Sequence, residues 1–305
     1  MVIVQLMGGL GNQLQQYALY KKFLSLGTEA KIDTSWFDDK NQEGKLAQRK
    51  IELERFDGID YEVCTAKERE ALTGSLGFGG RIKRKLGLSR IYSEHTIYDE
   101  KVLKFKDMYV EGYFACEYYY HDILPELQKE MVFPLERSAN KEKICALAED
   151  IKAHDAVSIH IRRGDYMDKE NFAMFGNICT ERYYKTAVDK AISAFPDTEK
   201  LKFYIFSDDP VYAQDFSREL TFESEVVDIN HGEESFYDIY LMSLCAANIT
   251  ANSTFSFWGG RLNENAKALK IRPTKHKNSQ TFEYDSMKRL WPGWAFVSPE
   301  GKIYE

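Results

Sequence analysis

Three absences narrow the classes of protein to which this chain can belong. Its five cysteines include no C-x-x-C pair, so neither a disulfide framework nor a zinc site of that spacing is predicted. No run approaches the roughly 20 apolar residues of a membrane span. Basic residues are not in excess: the net charge of −7 argues against nucleic-acid binding, since phosphate backbones select basic surfaces.

The start of the chain and the cysteines bear on the cellular compartment. The apolar run in MVIVQLMGGLGNQ is shorter than a signal-peptide core and has no basic lead-in. Cysteines that are odd in number and far apart are typical of reduced, unpaired thiols. We therefore expect a cytoplasmic protein with at most peripheral membrane contact.

The length of 305 residues exceeds that of most single domains and predicts two α/β domains of about 150 residues each. We place a first domain at residues 1–145 and a second at residues 146–280. Residues 281–305 form an aromatic tail that we expect to pack back on the first domain.

The first 33 residues have the pattern of a strand, a glycine turn, a helix and a second strand. This is half of a nucleotide-binding α/β domain. The turn and Asp33 imitate an NAD fingerprint, but Leu14 stands where the third glycine belongs. The glycines are better explained by a backbone that approaches a phosphate.

From residue 155 onward, strand and helix patterns alternate, which predicts a parallel sheet with right-handed crossovers. Ligands bind such sheets beyond the carboxyl ends of the strands. Four polar clusters lie at predicted strand ends: Gly8–Gln13, His160–Tyr166, Ser207–Pro210 and Asn252–Ser256. Their coincidence predicts a binding site for a nucleotide.

The segment HIRRGDY is the strongest of these clusters. Because side chains alternate along a strand, His160 and Arg162 share a face. An imidazole beside a guanidinium suits a nucleoside and a diphosphate, since the planar guanidinium holds two phosphate oxygens at once. The structural alternative is an ion pair of Arg162 or Arg163 with Asp165 that only ties the turn.

Two further clusters have a structural and a functional interpretation each. Asp208 or Asp209 can accept hydrogen bonds from guanine, or can cap the helix that begins at Pro210. The hydroxyls of Ser253, Thr254 and Ser256 lie at a predicted helix N-terminus, which is a natural anion site; plain capping explains only one of them.

Residues 81–85 contain four basic side chains behind a glycine-rich stretch. Such runs are typical of a solvated surface. The alternative is a patch for an anionic acceptor or an acidic lipid surface.

The motifs GGLGNQ, HIRRGDY, SDDP and LMSLCAANITANSTFSFWGG, in this order, resemble those of the bacterial α-1,2-fucosyltransferases, glycosyltransferase family 11. The resemblance spans nearly the whole chain. The fourth motif commonly ends in S-W-W-G-A, from which Phe257 and Gly260 depart.

The resemblance implies a GT-B-like fold, in which two Rossmann-type domains with parallel sheets face a central cleft. Residues 1–145 would form the acceptor side, and residues 146–280 would bind GDP-fucose. It further implies metal-independent, inverting transfer of fucose from GDP-fucose to a galactose hydroxyl of a glycan or polysaccharide precursor, with no cofactor. Arg162 would hold the β-phosphate. The other residues that would contact the donor are His160, one of Asp208 and Asp209, Gly11, Asn12, Ser253, Thr254 and Ser256, with Arg162 and Asn12 as the catalytic pair.

The sequence does not single out a general base: Asp33, Glu111, Glu117 and Asp165 are all candidates. It also leaves three rivals open: transfer with α-1,6 or α-1,3 linkage, an NAD-binding oxidoreductase, and a non-catalytic module that binds sugar nucleotides.

Overall fold

The computed structural model describes residues 1–38, 49–74 and 89–305. The chain divides into two compact units, Met1–Val132 and Phe133–Glu305. The predicted basic loop at 81–85 lies outside the described residues.

The first unit is built around a four-stranded parallel sheet with the order β2-β1-β4-β3. Its strands are β1 (Val2–Gln5), β2 (Ala30–Asp33), β3 (Ile91–Ser93) and β4 (Met108–Glu111). Its α-helices are α1 (Leu10–Ser25), α2 (Ala66–Thr73) and α3 (Leu124–Glu130). The strand–helix–strand pattern predicted at the start of the chain is confirmed by β1, α1 and β2.

Helix α1 is buried on nearly all sides. Its apolar residues Leu14, Tyr17 and Phe23 have no exposed surface, and neither have the side chains of Gln13 and Gln16. Buried amides need hydrogen-bond partners, and both glutamines find them in neighbouring loops. The polar residues of α1 therefore fix the loops around the sheet.

The second unit contains a seven-stranded sheet with the order β11-β10-β9-β8-β5-β6-β7. Its strands are β5 (Asp155–Ile161), β6 (Leu201–Ser207), β7 (Glu223–Val227), β8 (Ala247–Ile249), β9 (Leu269–Pro273), β10 (Trp294–Val297) and β11 (Ile303–Tyr304). All neighbours are parallel except β10 and β11.

The helices of this unit are α4 (Lys141–Ala153), α5 (Lys169–Phe175), α6 (Glu181–Ser193), α7 (Pro210–Glu219), α8 (Tyr237–Ser243), α9 (Thr254–Arg261) and α10 (Tyr284–Leu290). The chain leaves β5 through α6 to β6 and β7, then returns to β8 on the other side of β5. A topological switch point therefore lies between β5 and β8, the place where open parallel sheets bind ligands.

The structure corrects the predicted domain boundaries. Residues 133–145 belong to the second unit, so the division falls before Phe133 and not after residue 145. The tail 281–305 is not a separate segment, because Trp294–Val297 pairs with β9 as a parallel strand of the second sheet. We expect these aromatic residues to pack on the first domain, yet Trp291, Trp294 and Phe296 are buried and their rings contact residues of the second unit.

The five cysteines are all unpaired, as predicted. Burial raises the pKa of the Cys179 thiol to about 12, so this thiol is protonated at neutral pH. Within the described ranges, no helix is long and apolar enough to cross a membrane.

Packing around α9 explains the glycine at position 260, one of the two departures from the S-W-W-G-A form. A Cβ atom on Gly260 would lie 2.7 Å from Cη2 of Trp294, whose side chain is buried. The ring of Phe257 contacts the same tryptophan edge-on, at 6.0 Å between centroids. Gly260 thus makes room for a large side chain of β10.

We expect Gly260→Ala to lower the free energy of unfolding by about 1 kcal/mol, because overpacking outweighs the gain in helix propensity. Urea denaturation measures the change. Trp294→Phe removes the ring edge that would clash, so in that background the same substitution should be neutral or stabilising. Equal destabilisation in both backgrounds would contradict this explanation.

Candidate functional site

The strand register brings three polar loops of the second unit to one edge of the sheet. Ile161 of β5 lies opposite Ser207 of β6, and Ile159 lies opposite Ile249 of β8. The segments that follow these strands therefore emerge side by side. Three of the four predicted clusters meet here, at the switch point.

Arg162 is the first residue beyond β5 and is held by two carboxylates. Its Nη1 lies 2.9 Å from Oδ2 of Asp208, and its Nη2 lies 2.5 Å from Oδ1 of Asp165. Although burial alone would lower it, these carboxylates raise the pKa of Arg162 above its ordinary value. The side chain remains 29% exposed. A permanently charged, oriented guanidinium thus stands at the strand end, open to an anionic ligand.

Arg163 has a different partner from the one considered in the sequence. It does not pair with Asp165; its Nε donates to Oδ2 of Asp209 at 2.9 Å, and its guanidinium lies 4.0 Å from the centroid of the Tyr212 ring. Asp209 also caps α7, accepting from the backbone N–H of Tyr212 at 3.1 Å. This N–H and Arg163 lower the pKa of Asp209, so it remains ionised.

The two aspartates of the SDDP turn therefore have separate roles. Asp209 is the helix cap. Asp208 orients the arginines: its Oδ1 accepts from the backbone N–H of Arg163 at 2.8 Å, while its Oδ2 holds Arg162. Whether either carboxylate also contacts guanine stays a prediction.

Gly164 is a site residue whose role the sequence did not reveal. A Cβ atom there would lie 2.4 Å from Oδ2 of Asp208. Any other side chain would therefore push Asp208 away from Arg162. This glycine is part of the HIRRGDY motif, but the motif does not show that the Asp208 side chain lies against it. That contact depends on the pairing of β5 with β6.

His160 lies inside the sheet edge and is 5% exposed. Its ring is 5.7 Å from that of Phe255 on α9, and its Nδ1 is buried without a hydrogen-bond partner. Burial, and then the charge of Arg162, lowers the pKa of His160 to about 3. The imidazole is neutral at physiological pH and offers a ligand a ring nitrogen, not a charge.

The N-terminus of α9 adjoins this edge. Ser253 occupies the capping position without a side-chain hydrogen bond to the helix, and Thr254 is half-buried. The Ser256 hydroxyl is buried and donates to the carbonyl of Ser253 at 3.2 Å. Ser256 thus tightens the turn, while Ser253, Thr254 and the first-turn N–H groups form the polar end that an anion would meet.

The predicted residues Gly11 and Asn12 lie in the first unit, in the first turn of α1. Gly8 precedes them with a φ of +79°, and a Cβ there would lie 2.8 Å from Nδ2 of Asn12. The turn therefore needs glycine both for its backbone angle and for the amide that folds over it. Their contact with a donor stays a prediction.

Three of the candidate bases, Asp33, Glu111 and Glu117, lie in the first unit, and each has a hydrogen-bond partner there. The buried Asp33 accepts from Tyr109 Oη at 2.7 Å and from Arg69 Nη1 at 3.1 Å. Glu117 is fully buried beside His121. Because Asp33 also accepts from Ser35, little capacity is left for the ribose hydroxyls that an NAD site would present to it.

No group of three or more His, Cys, Asp or Glu side chains within residues 1–38, 49–74 and 89–305 is arranged to hold a metal ion.

Comparison with known proteins identifies the family. The model of glycosyl transferase family 11 matches residues 81–298, and the chain belongs to this family. The resemblance found in the motifs is thereby confirmed.

Two relatives from Escherichia coli match nearly the whole chain. An α-1,2-colitosyltransferase is 28% identical over 294 residues, which cover 95% of this chain and 97% of that protein. The O-antigen biosynthesis glycosyltransferase WbnK is 28% identical over 301 residues, with 88% and 93% covered. Among solved structures, the α-1,6-fucosyltransferase NodZ soaked with GDP-fucose is 14% identical, with 86% of this chain and 91% of that chain covered and a TM-score of 0.47.

Because the imidazole of His160 is buried and neutral, we expect the stability of the protein to decrease in acid. Its folded-state pKa of about 3 lies below the unfolded value of about 6.5. Its contribution to stability is therefore complete above about pH 6.5 and is lost as the pH falls toward 3, by up to about 1.4 kcal/mol per pH unit. Between about pH 7.5 and about pH 5.5, we expect the wild type to lose about 1 kcal/mol more than His160→Gln in urea denaturation. Parallel losses in the two proteins would show that His160 is protonated when folded.

Proposed function

We propose that this glycosyltransferase moves L-fucose from GDP-fucose to a galactose hydroxyl of a glycan acceptor, with α-1,2 linkage, inversion and no metal ion. The acceptor is a β-galactoside within a glycan or polysaccharide precursor. Family membership supports the sugar-transfer chemistry. The α-1,2 linkage is supported by the activity of the relative that is an α-1,2-colitosyltransferase.

The observation that carries the proposal is the placement of Arg162. Its guanidinium stands at the switch point, oriented by Asp208 and Asp165. The N-terminus of α9 follows the neighbouring strand β8. A nucleoside diphosphate carries its charge on oxygens that suit both a planar guanidinium and helix N–H groups. The site therefore supplies positive charge to a diphosphate from protein groups alone.

The positive charge of Arg162 determines which step of the proposed reaction the site assists, namely the departure of the diphosphate. The oxygen of the acceptor hydroxyl attacks the anomeric carbon of the donor sugar, and the bond from that carbon to the β-phosphate oxygen breaks on the opposite face. The electron pair of the broken bond stays on the phosphate oxygen, where Arg162 and the α9 N-terminus stabilise it. Donors oriented before the reaction stabilise such charge most strongly. The acceptor proton leaves to a base or to solvent.

A second donor deserves a direct comparison, because one relative is a colitosyltransferase. Colitose is fucose without its 3-hydroxyl group. A site that hydrogen-bonds this hydroxyl rejects the deoxy sugar by roughly 10⁴-fold or more, whereas a site that leaves it in solvent accepts both.

The proposal is tested by incubating the protein with GDP-fucose or GDP-colitose, lactose and EDTA, and determining the linkage in the product. We expect an α-1,2-fucosylated product whose rate EDTA does not change, because Arg162 supplies the charge that a metal ion would supply. Strong inhibition by EDTA that Mg²⁺ or Mn²⁺ reverses would overturn the metal-independent mechanism. A product made only from GDP-colitose would reassign the donor.

We expect Arg162→Ala to lower the transfer rate by at least about 10²–10³-fold, since it removes the charge that meets the leaving diphosphate. The fold should survive, because the side chain is at the rim of the sheet, and thermal unfolding checks this. Arg218→Ala is the matched control: it removes an arginine that is 74% exposed on α7. Near-wild-type turnover by the Arg162 variant would refute the donor site.

A further inference from the structure

The second unit contains a cavity of about 730 Å³ beside the Arg162 edge. Its size is within the range of about 300–1,000 Å³ that small-molecule sites occupy. The wall is formed by the end of β5, the segment 166–182, Tyr212 of α7 and the turn at Pro299 and Glu300.

The cavity lies on the other side of β5 from His160. Ile161, which lines it, packs in the core cluster with residues of α6 and α7, whereas His160 packs against Phe255 of α9. Side chains alternate across a strand, so successive residues of β5 serve two separate compartments. Arg162 borders the cavity as well, and the two compartments therefore adjoin at its position.

Acidic side chains outnumber basic ones around the cavity. Arg162 is paired with Asp165 and Asp208, and Arg163 is paired with Asp209. The remaining charged side chains of the wall are Glu181, Arg182 and Glu300. Away from the Arg162 edge, a phosphate would therefore meet an excess of carboxylates, whereas a neutral ligand with hydroxyl groups would find both donors and acceptors.

The apolar part of the wall is aromatic. Tyr166 and Phe175 stack on each other, with centroids 4.7 Å apart and planes inclined by 15°, so no base can enter between them. Phe172 is 36% exposed and presents its ring at the cavity. An exposed ring beside hydroxyl, amide and carboxylate groups suits a pyranose, which has an apolar C–H face and a rim of hydroxyls.

The wall is held in place before any ligand arrives. The buried amide of Asn252 donates to the carbonyl of Phe175 at 3.1 Å. Asn278 donates from its backbone N–H to the carbonyl of Met174 at 2.8 Å and from its side chain to that of Gly176 at 3.0 Å. These bonds fix α5 and the loop after it, so the aromatic surface is pre-organised.

We infer that this cavity binds the terminal neutral hexose of the acceptor glycan, with the ring of Phe172 packed against the sugar. The inference rests on the proposed function, because it names the acceptor subsite of the same reaction. It assigns part of the acceptor specificity to the second unit, next to the residue that would hold the donor diphosphate.

The test compares Phe172→Ala with Phe172→Tyr, which keeps the aromatic face, and with Met174→Ala, a matched control on the same helix. Met174 is 47% exposed and does not line the cavity. Binding of lactose is measured by saturation-transfer NMR in the presence of GDP, and binding of GDP by calorimetry. These readouts do not require turnover.

We expect Phe172→Ala to weaken lactose binding, and to raise its KM where transfer is measured, by about tenfold. GDP affinity should be unchanged, and the other two variants should behave like the wild type. Unchanged lactose binding in Phe172→Ala, or a loss of GDP affinity instead, would overturn the inference. If the wild type binds GDP but not lactose, the inference is also overturned, while the proposed donor site is supported. If the wild type binds lactose but not GDP, the proposed donor site is refuted and the inference is not.

Discussion

The structure of the site depends on one ion-paired side chain, Arg162, at the carboxyl end of β5. Two carboxylates on different segments, Asp165 and Asp208, fix its guanidinium and together carry more negative charge than it carries positive charge. An entering diphosphate must therefore compete with the carboxylates or join them. Gly164 maintains the arrangement because no larger residue fits against Asp208. Orientation of the arginine before ligand binding is what makes such a charge effective.

The ion pairs also separate two chemical environments. On one side of β5, the neutral imidazole of His160 lies near the N-terminus of α9, where we propose that the nucleotide binds. On the other side, aromatic rings and an excess of carboxylates line the cavity in which we placed the neutral sugar. Alternation of side chains along a strand produces this division, so the single segment His160–Arg163 serves both compartments. Under the proposed assignment, the donor diphosphate and the acceptor sugar would lie close together, on either side of Arg162.

Much of the fold was predictable because its signals are local. The strand–helix–strand start of the chain and the alternation after residue 155 follow from apolar periodicity, and the structure confirms both. The domain boundary and the tail were mispredicted for a physical reason. Trp294–Val297 is a strand only because β9 is available as its partner, and an aromatic run by itself does not show which surface buries it.

The sequence by itself determined the family and the clusters that follow strands β5, β6 and β8, because motif residues and strand ends are local features. Only the tertiary structure decided how their members divide the work. It made Asp209 a cap, Asp208 the partner of Arg162, and Ser256 part of a turn, since these roles depend on which strands are neighbours. It alone revealed the cavity beside Phe172, because that space is enclosed by segments far apart in the chain.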